Sequence, residues 1–307
     1  MSDVPTALFR AIAASHANLL HPPAVIGYAC YADAAVCTLT AFVLCAIFHF
    51  AVARRFKRTY MALHVFANVV ISALTLPGAV RALVHPENST VIAAGATHPN
   101  MVYACWIYAL HIYHPIMFKT GVMDWIHHVP VYILNTLTFS IPCGDFIHLQ
   151  SLVMTGIPGG LDYLLQVLEG EGMLSRALYK EMCSSINVWM RAPVGAISSY
   201  ICFCGLYHGY AAATGWQAFV LAGLGLHALW NPPFFGRQAI EANVVDAINR
   251  HRLVGGELKL PAVRAACGKP SKATAATPPR EEAYPVAAKH ADLAGAAPPM
   301  PEKKKAM

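Results

Sequence analysis

Charge is what this sequence has least of. Only 12% of its 307 residues are Asp, Glu, Lys or Arg, whereas 56% are hydrophobic. A soluble domain usually carries about 25% charged residues. The deficit excludes an ordinary water-soluble fold and points to an all-α, polytopic membrane protein. Paired cysteine motifs are missing too. None of the nine cysteines forms a CxxC pair, and most fall in apolar runs, where a thiol acts as a small hydrophobe. A disulfide framework and a zinc site built on thiolates are excluded on that pattern. The N-terminus lacks a basic start followed by an apolar core, so it does not read as a cleaved signal peptide. No internal repeat is evident. The net charge of +6 comes largely from the tail and one short loop, which reads as membrane orientation and not as nucleic-acid binding.

What is present is a series of long apolar runs. Seven are long enough to cross a bilayer at about 18–25 residues each: 24–52, 61–84, 100–118, 125–143, 145–168, 192–213 and 216–236. The fifth contains "GIPGGLDY", whose Pro158 and paired glycines predict a break or bend. Basic residues mark alternate connections: Arg54, Arg55, Lys57 and Arg58 after the first run, Lys119 after the third, and Arg176, Lys180 and Arg191 after the fifth. By the positive-inside rule these are cytosolic, which makes the N-terminal segment 1–23 lumenal and the C-terminus cytosolic. Asn88-Ser89-Thr90, an N-glycosylation acceptor sequence, falls in a lumenal loop on this topology. The transmembrane domain spans 24–240. Residues 254–307 are rich in Ala, Pro and Lys without an apolar period and are expected to be a disordered cytosolic tail. That tail ends Lys304-Lys305-Ala306-Met307, which resembles a dilysine retrieval signal and leads us to expect an endoplasmic-reticulum membrane.

Ionisable residues inside apolar runs are costly and mark function by default. They concentrate in "HIYHPIMFKTGVMDWIHHVPVY". His111 and His114, three apart, share one face at the end of the third run. His127 and His128 open the fourth, after a short turn, so both pairs lie near the cytosolic face. Asp124 is placed to cap that helix and to bond an imidazole, which would suit a general base. Asp162 and His227 fall in the cytosolic half or near mid-membrane and are candidate substrate-binding groups with His111 and His114. Asp33, Asp145, His148 and His208 fall toward the lumenal side. His49, His64 and His208, each alone in its run, read as interhelical hydrogen-bond partners. No residue is assigned as a metal ligand.

"MDWIHHVPVYILNTLTF", an acid followed by a His-His pair at the start of a mid-chain span, resembles the core of the TLC-domain family, which includes ceramide synthases. "GIPGGLDYLLQVL", "NVWMRAPVG" and "LWNPPFFGRQAI" resemble less characterised TLC-like proteins, and the likeness covers about 60–240. The resemblance implies a six-helix barrel around a lipid-accessible cavity, plus one extra helix. It also implies acyl transfer from acyl-CoA, with His127 and His128 catalytic and Asp124 as the preceding acid. Ceramide synthases follow the pair with a His-Asp-x-x-Asp element. Here "CGDFIHLQ" has Asp145 and His148 in another order, and Pro130 follows the pair. The likeness is therefore to a TLC-like protein of lipid metabolism more than to ceramide synthase itself. "LHIYHP" resembles the histidine box of fatty-acid elongases, with Pro115 in its last place. "DWIHH" is one residue from the HxxHH of membrane desaturases, whose imidazoles bind iron.

Three expectations follow. The first is an endoplasmic-reticulum acyltransferase acting on a lipid amine or hydroxyl, with acyl-CoA as co-substrate and no resident cofactor. The second is a non-catalytic lipid-sensing or trafficking protein. The third is a histidine-ligated metal lipid oxidase or an elongase-like enzyme. Membrane lipids are the expected partners in each, nucleic acid is not, and a homo-oligomer stays open.

Overall fold

A computed structural model of the chain describes residues 4–20, 28–86, 89, 100–139, 143–209 and 215–253. Every regular element among them is helical: α1 (Val4–Leu20), α2 (Tyr28–Ala51), α3 (Thr59–Val84), α4 (Val102–Met117), α5 (Val122–Thr138), α6 (Phe146–Ser151), α7 (Ile157–Gly170), α8 (Arg176–Ile186), α9 (Ala192–Gly209) and α10 (Gly215–Leu253). A 3-10 turn, Ala53–Arg55, links α2 to α3. Among the described residues, three segments are long and apolar enough to cross a membrane: Tyr31–Arg55, Thr59–Val84 and Gly215–Ile248. Their outer faces agree. Leu39, Val43, Ile47 and Phe50 of α2, and Val69, Leu76, Val80 and Leu83 of α3, are all exposed. Apolar stripes of that extent would be a liability in water and are ordinary against lipid.

α4 is covered by its neighbours α1, α2, α3 and α5. Its residues are buried on nearly every side, from Val102 to His114, as expected of a helix that is apolar all round. α2 lies against it through small residues four apart, Cys37, Ala41 and Cys45, which let the two backbones approach closely. The same stripe continues to His49, whose Nδ1 lies 2.7 Å from the Tyr113 hydroxyl of α4. α3 packs on α4 on one side and on α6 and α7 on the other. α9 and α10 pair with each other, and α5 touches α4 and α10.

The apolar runs correspond to helices, with three differences in detail. First, the proline-glycine stretch of the fifth run does not break the helix. α6 continues into α7 through a π turn, Leu152–Gly156, in which Ile157 N–H donates to the Leu152 carbonyl five residues back. The cause is Pro158: it has no N–H for the carbonyl four residues earlier, and the wider turn moves the register past it. α8 joins α9 the same way, through a π turn at Asn187–Arg191 that stands just before Pro193. Second, Arg191 is consequently in a helix and not in a loop. Third, the last helix does not end with the apolar run at 236. α10 runs through Pro232 and Pro233 to Leu253, and Pro232 seats against Gly195 of α9. At 39 residues, with about 1.5 Å rise each, this helix is far longer than a hydrocarbon core of about 30 Å. Its polar end is tied to α8 by Arg176 and Asp246, 2.9 Å apart.

The segment 1–23 contains the helix α1, which lies beside α2; Met101 N–H donates to the Leu19 carbonyl at 2.9 Å. The tail 254–307, Asn88 and Thr90 lie outside the described residues. Cys37, Cys45, Cys183, Cys202 and Cys204 are free thiols, the first four of them buried.

The end of the bundle away from the α4–α5 turn is held by charge. Arg81 grips Asp145 with two bonds, at 2.8 and 2.9 Å. His148 Nε2 donates to the Asn100 carbonyl at 2.7 Å, and its ring lies on the bare backbone of Gly78. A Cβ at Gly78 would stand 1.7 Å from His148 Nδ1. Gly78→Ala should therefore displace the ring from Asn100 and cost about 1–3 kcal/mol. A lowered thermal midpoint in detergent checks this, and a midpoint equal to wild type would remove the close-packing argument.

Candidate functional site

The short connection between α4 and α5 brings their histidines face to face. The turn is set by Gly121, whose N–H donates to Asp124 Oδ2 at 2.6 Å. Asp124 is thus the third-position carboxylate that caps α5. Above it, His111 Nε2 lies 3.2 Å from His127 Nε2, and His114 Nδ1 lies 3.4 Å from His128 Nε2. The His111 and His128 rings are 4.7 Å apart between centroids. Tyr132 steadies the pair from the next turn, donating to the His111 carbonyl at 2.7 Å. Phe235 of α10 meets the His127 ring edge-on.

A fifth imidazole joins from α3. His64 is buried with its ring 4.3 Å from that of His114, and it stacks at 4.0 Å on Tyr163 of α7. The Tyr60 hydroxyl lies 3.5 Å from His114 Nδ1. Read from sequence, His64 was a solitary packing histidine, and Tyr60 and Tyr163 carried no signal. One signal was available: His64 and Asn68, four apart, put two polar groups on one face of an apolar helix.

The other expected site residues lie apart from the ring cluster. Asp162 accepts a hydrogen bond from Cys183 Sγ at 2.7 Å, across the α7–α8 contact. His227 sits between α6 and α10, with Gln150 Nε2 3.4 Å from its Nδ1 and Asn231 Nδ2 3.5 Å from its Nε2. The side chain of His208 is outside the described residues.

The hydrogen bonds assign protons. His111 Nδ1 lies 2.7 Å from the Ile107 carbonyl, which can only accept, so the proton is on Nδ1. In the neutral ring Nε2 is then a lone pair, and the hydrogen in the 3.2 Å contact must come from His127 Nε2. That leaves the lone pair of His127 on Nδ1. This atom is buried and, among the described residues, has no hydrogen-bond partner. Three further ring nitrogens of the cluster share that condition, His64 Nε2, His114 Nε2 and His128 Nδ1, as does His148 Nδ1 at the other end of the bundle. An unpaired buried polar atom costs about 1–3 kcal/mol. Four in one cluster are a concentration that packing alone does not explain. Among the described residues, no three His, Cys, Asp or Glu side chains converge on a point that could hold a metal ion.

An open apolar groove of about 510 Å³ runs beside the cluster between α2, α4 and α5, lined by Ala34, Leu39, Phe42, Tyr108, Ile112 and Phe139 among others. The wall between groove and cluster is a chain of hydroxyls. Tyr108 bonds Thr136 and the Tyr132 carbonyl, and Tyr132 bonds His111.

The proton assignment is directly measurable. In protein labelled with ¹⁵N-histidine and reconstituted in bilayers, His111 should be the Nδ1–H tautomer and His127 the Nε2–H tautomer. His111→Phe should free the His127 ring to populate both. A His127 protonated on Nδ1 in the wild type would reverse the assignment.

Comparison with known proteins returns no match to a family model, to a curated protein or to a solved structure.

Proposed function

We propose that the chain is a seven-span, TLC-like membrane protein of lipid metabolism in the endoplasmic reticulum, and that it transfers an acyl group from acyl-CoA to a lipid amine or hydroxyl. The observation that carries this reading is the cluster of buried imidazoles with unpartnered nitrogens where α3, α4 and α5 meet. In this reading the His127 Nδ1 lone pair takes the proton of the attacking O–H or N–H as that atom bonds to the thioester carbonyl. The carbon–sulfur bond breaks, the new ester or amide forms, and the proton passes to the departing thiolate of coenzyme A. His111 supports the step. As His127 becomes positive, its Nε2–H bond to His111 Nε2 strengthens, and His111 Nδ1 is already held by the Ile107 carbonyl. The seven-span reading draws support from packing. α3, α4, α5, α10, α9 and the α6–α7 run touch in succession, α2 lies outside against α4, and the cluster faces inward.

The apolar groove favours a second reading, a lipid-sensing or trafficking protein. It opens between helices whose surroundings are acyl chains, and it reaches the back of His111 through the Tyr108–Tyr132 wall. In that role the imidazoles hold α4 to α5 and nothing is transferred.

Lipid profiling of cells with and without the chain, beside histidine variants, separates the two. If the chain is an acyltransferase, His127→Ala and His128→Ala leave expression and membrane insertion intact and lower product formation by about 10²-fold or more, the usual contribution of a general base. Undiminished product in the double variant would remove the catalytic role. A sensor or trafficking protein instead shows lowered thermal stability in detergent in both variants and a lipid profile that does not depend on them.

A further inference from the structure

Among the described residues, Arg191 is the only lysine or arginine that is buried, with 9% of its surface accessible. It ends the π turn Asn187–Arg191 and points into the bundle. A guanidinium carries five N–H donors. Nη1 donates to Asn187 Oδ1 at 2.8 Å, and Nε is buried without a partner among the described residues. No described carboxylate forms an ion pair with it. Asp162 on α7 accepts from Cys183 instead.

A second observation locates what is missing. A Cβ added to Gly159 of α7 would stand 3.5 Å from Arg191 Nη2 and 3.2 Å from Asn68 Nδ2. The guanidinium and the Asn68 amide therefore both approach the α7 backbone at Gly159, where the Met154 carbonyl also lies, 3.7 Å from the same point. Asn68 is itself 2% exposed. The Arg191 Nε, buried without a partner among the described residues, and the unmatched positive charge call for an anion. An uncompensated cation in such surroundings is expensive, and a fold that keeps one has a use for it. The guanidinium fork fits a carboxylate or phosphate through two parallel bonds.

We infer that Arg191, with Asn68 and Asn187, is a binding site for the oxyanion head, carboxylate or phosphate, of an acyl-chain amphiphile. The amphiphile follows from the surroundings. The site is enclosed by α3, which is long and apolar enough to span a membrane, by α7 and by the α8–α9 helix, so an ion dissolved in water has no easy route to it. The inference stands whether or not the histidines do chemistry. If they do, the head group is held one helical turn along α3 from His64.

Purified full-length protein in neutral detergent provides the test, with oleate, dioleoyl phosphatidic acid, oleyl alcohol and inorganic phosphate as probes. Thermal unfolding and native mass spectrometry are the readouts. Oleate, phosphatidic acid or both should raise the unfolding midpoint of the wild type, and oleyl alcohol, with the chain but no anion, should not. A response to one anion alone identifies carboxylate or phosphate. Arg191→Met should lose the ligand-induced rise while unfolding, without ligand, at a midpoint equal to or above that of the wild type. Should that variant fail to fold, Gly159→Ala, whose Cβ enters the patch, should weaken binding about tenfold with little change in midpoint, since it removes the room for charge-assisted bonds of this strength. Four results overturn the inference: no probe shifting the wild type, Arg191→Met keeping the full shift, Gly159→Ala binding unchanged, or inorganic phosphate shifting the midpoint as far as the lipids.

Discussion

In a bundle surrounded by acyl chains no water is at hand to satisfy an imidazole, so the His111–His127 hydrogen bond has to be built from the helices themselves. Much of the architecture can be traced to that requirement. α4 must be covered on nearly every side for His111 to be dry, and α2, α3 and α5 cover it. α2 must come close without filling the space, which its Cys37–Ala41–Cys45 stripe allows. α5 must return at once, and the Gly121 turn capped by Asp124 makes it do so. The Ile107 carbonyl then fixes the proton on His111, which fixes the proton on His127. A backbone oxygen on one helix thereby decides which nitrogen is bare on the next.

The two ends of the bundle treat polar groups differently. At the Arg81 end charges are matched: Asp145 receives both arms of the guanidinium, and His148 is bonded to a carbonyl and pressed on glycine. That arrangement holds helices together. At the histidine end four ring nitrogens, and at Arg191 the Nε, are buried without partners among the described residues, while at the Arg81 end His148 Nδ1 is in the same condition beside its matched charges. Sequences that fold well seldom leave such costs standing except where something binds or reacts.

The helices were legible because burial in lipid needs long apolar runs and little else. The meeting of His111 and His114 with His127 and His128 was legible too, since three-residue spacing and a short turn leave the two pairs few other arrangements. His64 was not, because nothing local records that α3 lies beside α4. Asp124 offered two roles from its spacing, and the bond it makes in the structure is to the Gly121 N–H. Arg191 was read as a loop cation because it stands just outside the apolar run that begins at 192. The register shift that lets a helix run on past Pro193 has no periodic signature.

Each π turn holds one residue more than the α register would, and that residue is a stored quarter-turn of twist. Side chains beyond it are rotated by about 100° from where an uninterrupted α-helix would put them. Were the extra residue to migrate along α8 and α9, the segment carrying Arg191 would roll about its own axis without the helix melting. Pro193, which has no hydrogen to complete the tighter register, blocks that roll in the C-terminal direction. The wider turn is therefore pinned on its C-terminal side by a single imide nitrogen.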